Sequence, residues 1–298
     1  MISVMGTQRA ATDRAVTNKR MKLLLLAAGE RGELAAEAAR LAPLVAEHAD
    51  VLMRDLALGE DLSQLDFDLA IVVGGDGSML RAAHQMGRRQ RPVIGVNLGK
   101  LGFLADLSPD ELLARLPEIC SGQFSAIEQL MYECSVIRGG KVIHHRLGLN
   151  EVAVLAGPPF AILSLDLYVD SELVTTYSCD GLIISTPVGS TAHNLSAGGP
   201  ILRQDLQAFV ISPISPHTLT NRPVVDSADR IYELVVPKPH EGTSIVADGR
   251  VVCKLEAEDR VRVERSLARF QLLALPGHTY YRTLREKLGW GGRLQMRS

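Results

Sequence analysis

Asp68-Leu69-Ala70-Ile71-Val72-Val73 runs into Gly74-Gly75-Asp76-Gly77-Ser78-Met79-Leu80, and this junction constrains the fold more than any other stretch of the chain. The apolar run fits a strand buried on both faces, while Ser78 followed by Leu80, Ala82 and Ala83 opens a helical pattern. A buried strand, a tight turn and a helix start form the unit from which helix-covered parallel sheets are built. Glycines at 74, 75 and 77 permit positive φ and close approach of a ligand, and free amides at a helix start favour phosphate oxygens. A carboxylate there is a poor phosphate ligand, yet it is well placed to take a proton from a hydroxyl that attacks a phosphoryl group. Asp76 is therefore the first candidate base, although on this stretch alone Asp76-Gly77 reads equally well as an ordinary Asp-Gly turn.

The rest of the N-terminal part repeats the alternation. Lys22 to Ala27 reads as a strand and Glu33 to His48 as a helix with Pro43 as a kink. Val51 to Met53, Ala70 to Val73 and Pro92 to Asn97 read as further strands, and Met79 to Arg88 as the next helix. Ser108-Pro109-Asp110-Glu111 carries the residues of a capping box with proline at the first helical position. These signals predict a Rossmann-like α/β domain with a parallel sheet over residues 21–122, whose ligands sit beyond the carboxyl ends of the strands. From about residue 123 to 275 the pattern changes to period-two runs separated by Gly139-Gly140, Asp170-Ser171 and Asp248-Gly249, the signature of a β-rich, mostly antiparallel domain. Arg260 to Glu264 and Phe270 to Leu275 read there as separate strands. Residues 276–298 close the chain with a helix over Thr279 to Leu288 that packs back on the first domain. Residues 1–20 read as a disordered leader, with Met21 as an alternative start.

Composition narrows the function. Thirty-two basic and 34 acidic side chains give a net charge of -2, so nothing suggests the polyanion-binding surface that duplex nucleic acid demands. Four dispersed cysteines form no Cys-x-x-Cys pair, so neither a zinc site nor a disulfide framework is expected, and a reducing cytoplasm fits best. No apolar run approaches the roughly 18 residues of a membrane span. Small charged ligands remain.

A second dense stretch runs from Asp180 through an apolar strand to Thr191-Ala192-His193-Asn194-Leu195-Ser196 and Pro200. Its hydroxyls and small side chains offer hydrogen bonds at close range and suit a polar planar ligand. Asn150-Glu151 pairs an amide with a carboxylate and can hold two ribose hydroxyls, or simply cap a strand. The adjacent His144 and His145 face opposite sides of a strand and share no metal. Asp248 reads as a hairpin residue.

Taken together, these stretches make the chain resemble the NAD kinases, which transfer a phosphoryl group from ATP to the adenosine-ribose 2′-hydroxyl of NAD. The resemblance rests on Gly74 to Leu80, Gly95-Val96-Asn97 with Gly99 to Leu104, Asn150-Glu151 and Asp180 to Pro200. It extends over Pro216-His217-Thr218-Leu219, Arg222-Pro223 and the terminal Tyr281 to Trp290. It implies Asp76 as catalytic base, Gly74, Gly75, Gly77 and Ser78 as the phosphate loop, and Arg81 near phosphate. It further implies that Asn150 and Glu151 hold NAD, that Asp180 contacts the nicotinamide end or a partner base, and that Thr191 to Ser196 line the adenine side. His193 stands where the family usually has tyrosine. Magnesium is expected to arrive with ATP rather than in a protein cage, and a homodimer or homotetramer is implied. Two alternatives share features of the sequence: a lipid kinase of the diacylglycerol or sphingosine type with the same glycine-aspartate loop, and a non-catalytic NADP(H)-binding sensor.

Overall fold

The computed structural model describes residues 20–27, 32–55, 59–99, 102–218 and 220–289, so the expected leader and Lys100, Leu101, Leu219 and Trp290 lie outside the described residues. The first half runs β1 (Lys22–Ala27), α1 (Glu33–His48), β2 (Asp50–Asp55), β3 (Leu69–Val73), α2 (Asp76–Met86), β4 (Pro92–Val96), β5 (Ala105–Leu107) and α3 (Pro109–Cys120). β1 to β5 pair in parallel, in the spatial order β5, β4, β3, β1, β2. Alternate residues of these apolar strands feed two cores. Leu23, Leu25, Ile71 and Val73 pack under α1 and α3, while Leu24, Leu26, Ala70 and Val72 pack under α2 with Met79, Ala82 and Met86. A strand with both faces covered must be apolar at every position, which is why these segments read as unbroken hydrophobic runs. The capping box forms as expected: Ser108 Oγ accepts from Glu111 N at 3.2 Å and Glu111 Oε2 accepts from Ser108 N at 2.8 Å.

The second half follows as β6 (Ser125–Arg138), β7 (Lys141–Gly148), β8 (Glu151–Leu155), β9 (Leu163–Val169), β10 (Glu172–Cys179) and β11 (Gly181–Ser185). A 3₁₀ turn (Gly189–Thr191) and the short α4 (His193–Ser196) come next. The chain then continues through β12 (Ala208–Ile214), β13 (Val224–Ser227), β14 (Tyr232–Val235), β15 (Ser244–Ala247), β16 (Arg250–Lys254), β17 (Arg260–Ala274) and α5 (Tyr280–Leu288). β8, β11, β12, β13, β15 and β16 form a six-stranded antiparallel sheet. A core of Tyr132, Val152, Leu182, Phe209, Tyr232 and Val261 joins strands of this sheet to strands of the other. The three expected hairpin turns are present, and both residues of each turn take positive φ: Gly139 and Gly140, Asp170 and Ser171, Asp248 and Gly249.

Two features differ from the sequence reading. Residues 260–274 form one strand, bent by a register shift between Arg265 and Arg269, rather than two. That strand also carries the sheet across the expected boundary near residue 122: β17 pairs antiparallel with β6 and β14, and at Gln271 and Leu272 it pairs in parallel with β4. A single 11-stranded sheet thus contains the parallel strands of the first half and the antiparallel strands β6, β7, β9, β10, β14 and β17.

Candidate active site

The glycine-aspartate loop begins where β3 leaves the sheet. Only Gly74 uses the left-handed freedom of glycine, with φ 146°. Gly75 is extended at φ -91° and is the N-cap, so α2 begins at Asp76, two residues earlier than the sequence pattern indicates. The cap has no side-chain hydrogen bond, and a Cβ built on Gly75 or Gly77 would meet no atom within 4 Å. Neither the chain's conformation nor its packing therefore requires glycine at 75 or 77, and open space at a helix N-terminus is what a phosphate group needs.

Asp76 stands in the first turn of α2 with both carboxylate oxygens engaged. Oδ2 accepts from Phe103 N at 3.0 Å and from Lys287 Nζ at 3.1 Å; Oδ1 accepts from Leu104 N at 2.9 Å and from Ala105 N at 3.3 Å. Gly102 makes this possible, since a Cβ there would collide with Asp76 Oδ1 and stand 2.7 Å from the Ala105 carbonyl.

The Leu149-Asn150-Glu151 backbone is held from the other side by Asp248. Its carboxylate accepts from Leu149 N (2.8 Å), Asn150 N (2.8 Å), Glu151 N (3.1 Å) and the Tyr132 hydroxyl (2.9 Å), and it pairs with His84 Nε2 at 2.8 Å. Burial and the Asp248 charge raise the Tyr132 hydroxyl far above its ordinary value, so it remains a donor. Because His84 lies on α2, Asp248 ties the helix that starts at Asp76 to the strand that starts at Glu151. Glu151 is itself buried, and Oε2 has no hydrogen-bond partner among the described residues. Burial first, then the Asp248 charge, push its carboxyl up to about 8, opposed by an N–H from His193.

The 186–202 segment completes the enclosure. Thr186 N donates to Asn150 O at 2.9 Å, Ser190 Oγ accepts from Leu202 N at 2.9 Å, and the Tyr280 hydroxyl of α5 donates to Leu202 O at 2.8 Å. Direct contacts thus run from Asp76 along α2 to His84, Asp248 and Glu151. From there they pass through His193 and the segment up to Leu202 to Tyr280, and along α5 to Lys287 and back to Asp76. Such a ring suits a phosphate-bearing ligand: helix amides and a lysine on one side, a buried carboxyl with one unpartnered oxygen on the other, and a carboxylate between.

Comparison with known proteins accounts for this arrangement. Residues 11–124 match the ATP-NAD kinase N-terminal domain and residues 149–275 the ATP-NAD kinase C-terminal domain. The NAD kinase of Rhodopirellula baltica is 55% identical over 276 residues, covering 93% of this chain and 89% of that protein. The chain belongs to the NAD kinase family. The NAD kinase of Shewanella frigidimarina is 41% identical over 245 residues, covering 80% of this chain and 79% of that protein. Among solved structures, an NAD kinase from Archaeoglobus fulgidus in complex with ATP aligns at TM-score 0.73 and 25% identity, covering 90% of this chain and 99% of that one. Yeast NADH kinase complexed with NADH shares the fold at TM-score 0.82 and 20% identity, with 94% and 91% of the two chains covered. Neither the lipid-kinase nor the sensor alternative finds support in these likenesses.

Within this NAD kinase chain, the ring of contacts brings Asp76, Glu151 and His193 together, with Gly74, Gly75 and Gly77 beside Asp76. Ser78 is buried in α2, and Arg81 lies half-buried one turn beyond Asp76. Asp180, between β10 and β11, is half-exposed and 3.9 Å from His217 Nε2. Thr191, Ala192 and Leu195 are partly exposed, and His193 and Ser196 are exposed. Asn194 departs from the expectation that it faces a ligand. It is fully buried, donating to Ser190 O (3.1 Å) and Pro200 O (3.0 Å) and accepting from Ser212 Oγ (2.7 Å), so its side chain pins α4 in place. Among the residues of the ring that lay outside the expected site are Asp248, His84 and Lys287. Asp248-Gly249 gave a turn signal only, and nothing local marks the other two.

Proposed function

We propose that this NAD kinase transfers the terminal phosphoryl group of ATP to the 2′-hydroxyl of the adenosine ribose of NAD, with Asp76 as the general base. The hydroxyl proton goes to Asp76, the ribose oxygen bonds to phosphorus, and the bridging P–O bond breaks to release ADP. The observation that carries the reading is the Asp76 carboxylate, fixed by main-chain N–H groups at the mouth of a glycine loop and uncapped helix. A carboxylate there is out of place for phosphate binding and in place for proton removal. On the other side of the ring, Glu151 Oε2 lacks a donor, and a ribose hydroxyl would supply one.

Among the described residues no cluster of three or more His, Cys, Asp or Glu could hold a metal ion. In our reading a divalent cation, magnesium, enters as part of the nucleotide substrate and offsets its phosphate charge. Arg81 and the amides at the start of α2 are the chain's own contribution to holding the phosphates. We further take the protein to be a cytoplasmic homodimer or homotetramer. No described helix is long and apolar enough to cross a membrane.

Asp76→Asn tests the assignment. The amide keeps the size of the side chain and one acceptor oxygen but cannot take the proton. NADP formation should fall at least ~10²-fold at saturating substrates, the ordinary worth of a general base, with NAD affinity changed far less. Turnover above about a tenth of wild type would remove Asp76 from the role.

A further inference from the structure

Lys287 belongs to the last turn of α5, 211 residues from Asp76 in sequence, and its ammonium lies 3.1 Å from Asp76 Oδ2. The same ammonium sits over the Phe103 ring, 4.3 Å from the centroid, while Phe103 N binds the same carboxylate oxygen. A carboxylate offers about four lone-pair directions. Four donors fill them here: the N–H groups of Phe103, Leu104 and Ala105, and Lys287. No direction is left for a substrate hydroxyl, so a base at Asp76 requires one donor to withdraw.

Three of the four are main chain. Their segment is anchored by the Gly102 N to Ala105 O hydrogen bond at 2.9 Å and by the pairing of Ala105 with Gly95 in the sheet. The fourth is a flexible side chain, and the ion pair is one-third exposed on both sides, a setting in which such pairs are weakly held. α5 behind it is well seated: Thr279 caps it, Thr283 and Leu284 are buried, and Tyr280 is bonded to Leu202. The helix is thus a fixed arm with one movable charge at its end.

We propose that Lys287 is a positioning residue. It holds the proton-accepting direction of Asp76 in the free enzyme, yields it to the ribose hydroxyl when both substrates bind, and shifts its charge onto the phosphoryl group. The inference rests on the reading of Asp76 as base. The hydroxyl that displaces Lys287 is the one that attacks phosphorus, so the phosphoryl oxygens arrive beside the displaced ammonium, and the Phe103 face keeps that ammonium nearby. Lys287 takes no part in the proton transfer. The hydroxyl proton still goes to Asp76 and the electron pair of the broken P–O bond to ADP.

The test uses the full chain with Lys287→Gln, Lys287→Arg and, alongside, Asp76→Asn. Glutamine keeps a donor for Asp76 without a charge; arginine keeps the charge. We expect kcat to fall about 10²-fold in Lys287→Gln, the usual loss on removing one charge-stabilising donor from a transition state. Lys287→Arg should recover to within about tenfold of wild type. NAD titrated by calorimetry without nucleotide should bind Lys287→Gln at least as tightly as wild type, because a neutral donor competes for Asp76 less strongly than an ammonium does. Melting temperatures of the three variants guard against misfolding, and a residue that merely tethers α5 would lower them while leaving glutamine and arginine equally active. Lys287→Gln within about tenfold of wild-type kcat, beside an inactive Asp76→Asn, would overturn the proposal, as would weakened NAD binding in step with the lost rate. An active Asp76→Asn would instead refute the base itself, and so the two failures are told apart.

Discussion

Glu151→Gln should stabilise the protein, by an amount that depends on pH in a calculable way. The Glu151 carboxyl is pushed from its ordinary 4.5 to about 8, chiefly by burial. A raised carboxyl binds its proton more tightly in the folded chain than in the unfolded one. Its contribution to stability is therefore fully present below pH 4.5, is lost as pH rises toward 8, and falls no further beyond. At about 1.4 kcal/mol per pH unit, the cost relative to an uncharged isostere is near zero at pH 4, about 3 kcal/mol at pH 7 and about 5 kcal/mol at pH 9. Glutamine occupies the same volume, can accept from the His193 N–H as Glu151 does, and leaves the same Oε2 position unpartnered. Its own penalty should then nearly cancel in the comparison. Urea denaturation of both proteins at pH 5, 7 and 9, without ligand, reads the difference directly. The gain should widen from under about 1 kcal/mol at pH 5 to several kcal/mol at pH 9. A difference that stays constant across that range would refute the reasoning, because it would mean that Glu151 carries no raised carboxyl in the folded state.

Two further substitutions probe the supports of the site. Gly102→Ala places a methyl group against Asp76 Oδ1 and 2.7 Å from the Ala105 carbonyl, so the carboxylate or its anchoring loop must move. NADP formation should fall at least ~10²-fold while the melt shows a loss of only about 1–3 kcal/mol, and full activity in a kinetic assay would count against the observed seat of Asp76. Asp248→Asn turns one oxygen into an NH2 group. Whichever way the amide is placed, it faces either Leu149 N–H or the N–H groups of Asn150 and Glu151. The cheaper placement leaves one buried donor unmet, at about 1–3 kcal/mol, since His84 can accept from the amide as a neutral tautomer. NAD titration should show weaker binding as the Asn150-Glu151 backbone loosens, and unchanged affinity together with unchanged stability would remove Asp248 from its positioning role.

What the sequence made legible was local. Leu69 to Val73 declares a strand covered on both faces because every position is apolar, and Ser108 with Glu111 declares a helix start because the two residues complete each other's hydrogen bonds. Asp248-Gly249 likewise announced its turn correctly, with both residues at positive φ. It said nothing of the Asp248 carboxylate, whose partners Tyr132, Leu149 and His84 lie 99 to 164 residues away. The start of α2 was misplaced for a related reason. Gly75 is a weak cap and Gly77 a poor helix former, but the helix is held at its far face by Met79, Ala82 and Met86 in the core, and that packing outweighs local propensity. The pairing of Gln271 and Leu272 with Pro92 and Val93, which makes one sheet of two halves, has no local signature at all.

These supports also resolve an electrostatic difficulty in the proposed site. Three carboxyl groups, Asp76, Glu151 and Asp248, belong to a site that must admit a polyphosphate, and like charges there would repel it. Each is handled differently. The charge of Asp248 is turned inward onto five donors and is almost wholly hidden from solvent. Glu151, with its carboxyl near 8, is largely protonated at neutral pH and carries little charge toward the ligand. Asp76 alone must stay ionised to act as a base, and it is the one paired with a lysine. Had Glu151 been exposed and Lys287 absent, the same residues would present two net negative charges to the incoming phosphates. Once the ribose hydroxyls donate to Glu151 and Asp76, the balance reverses: Glu151 favours its charged form and Lys287 is released toward the phosphates. Binding of both substrates therefore moves negative charge onto the ribose side and positive charge onto the phosphoryl side, which is the polarity that transfer to a ribose oxygen requires.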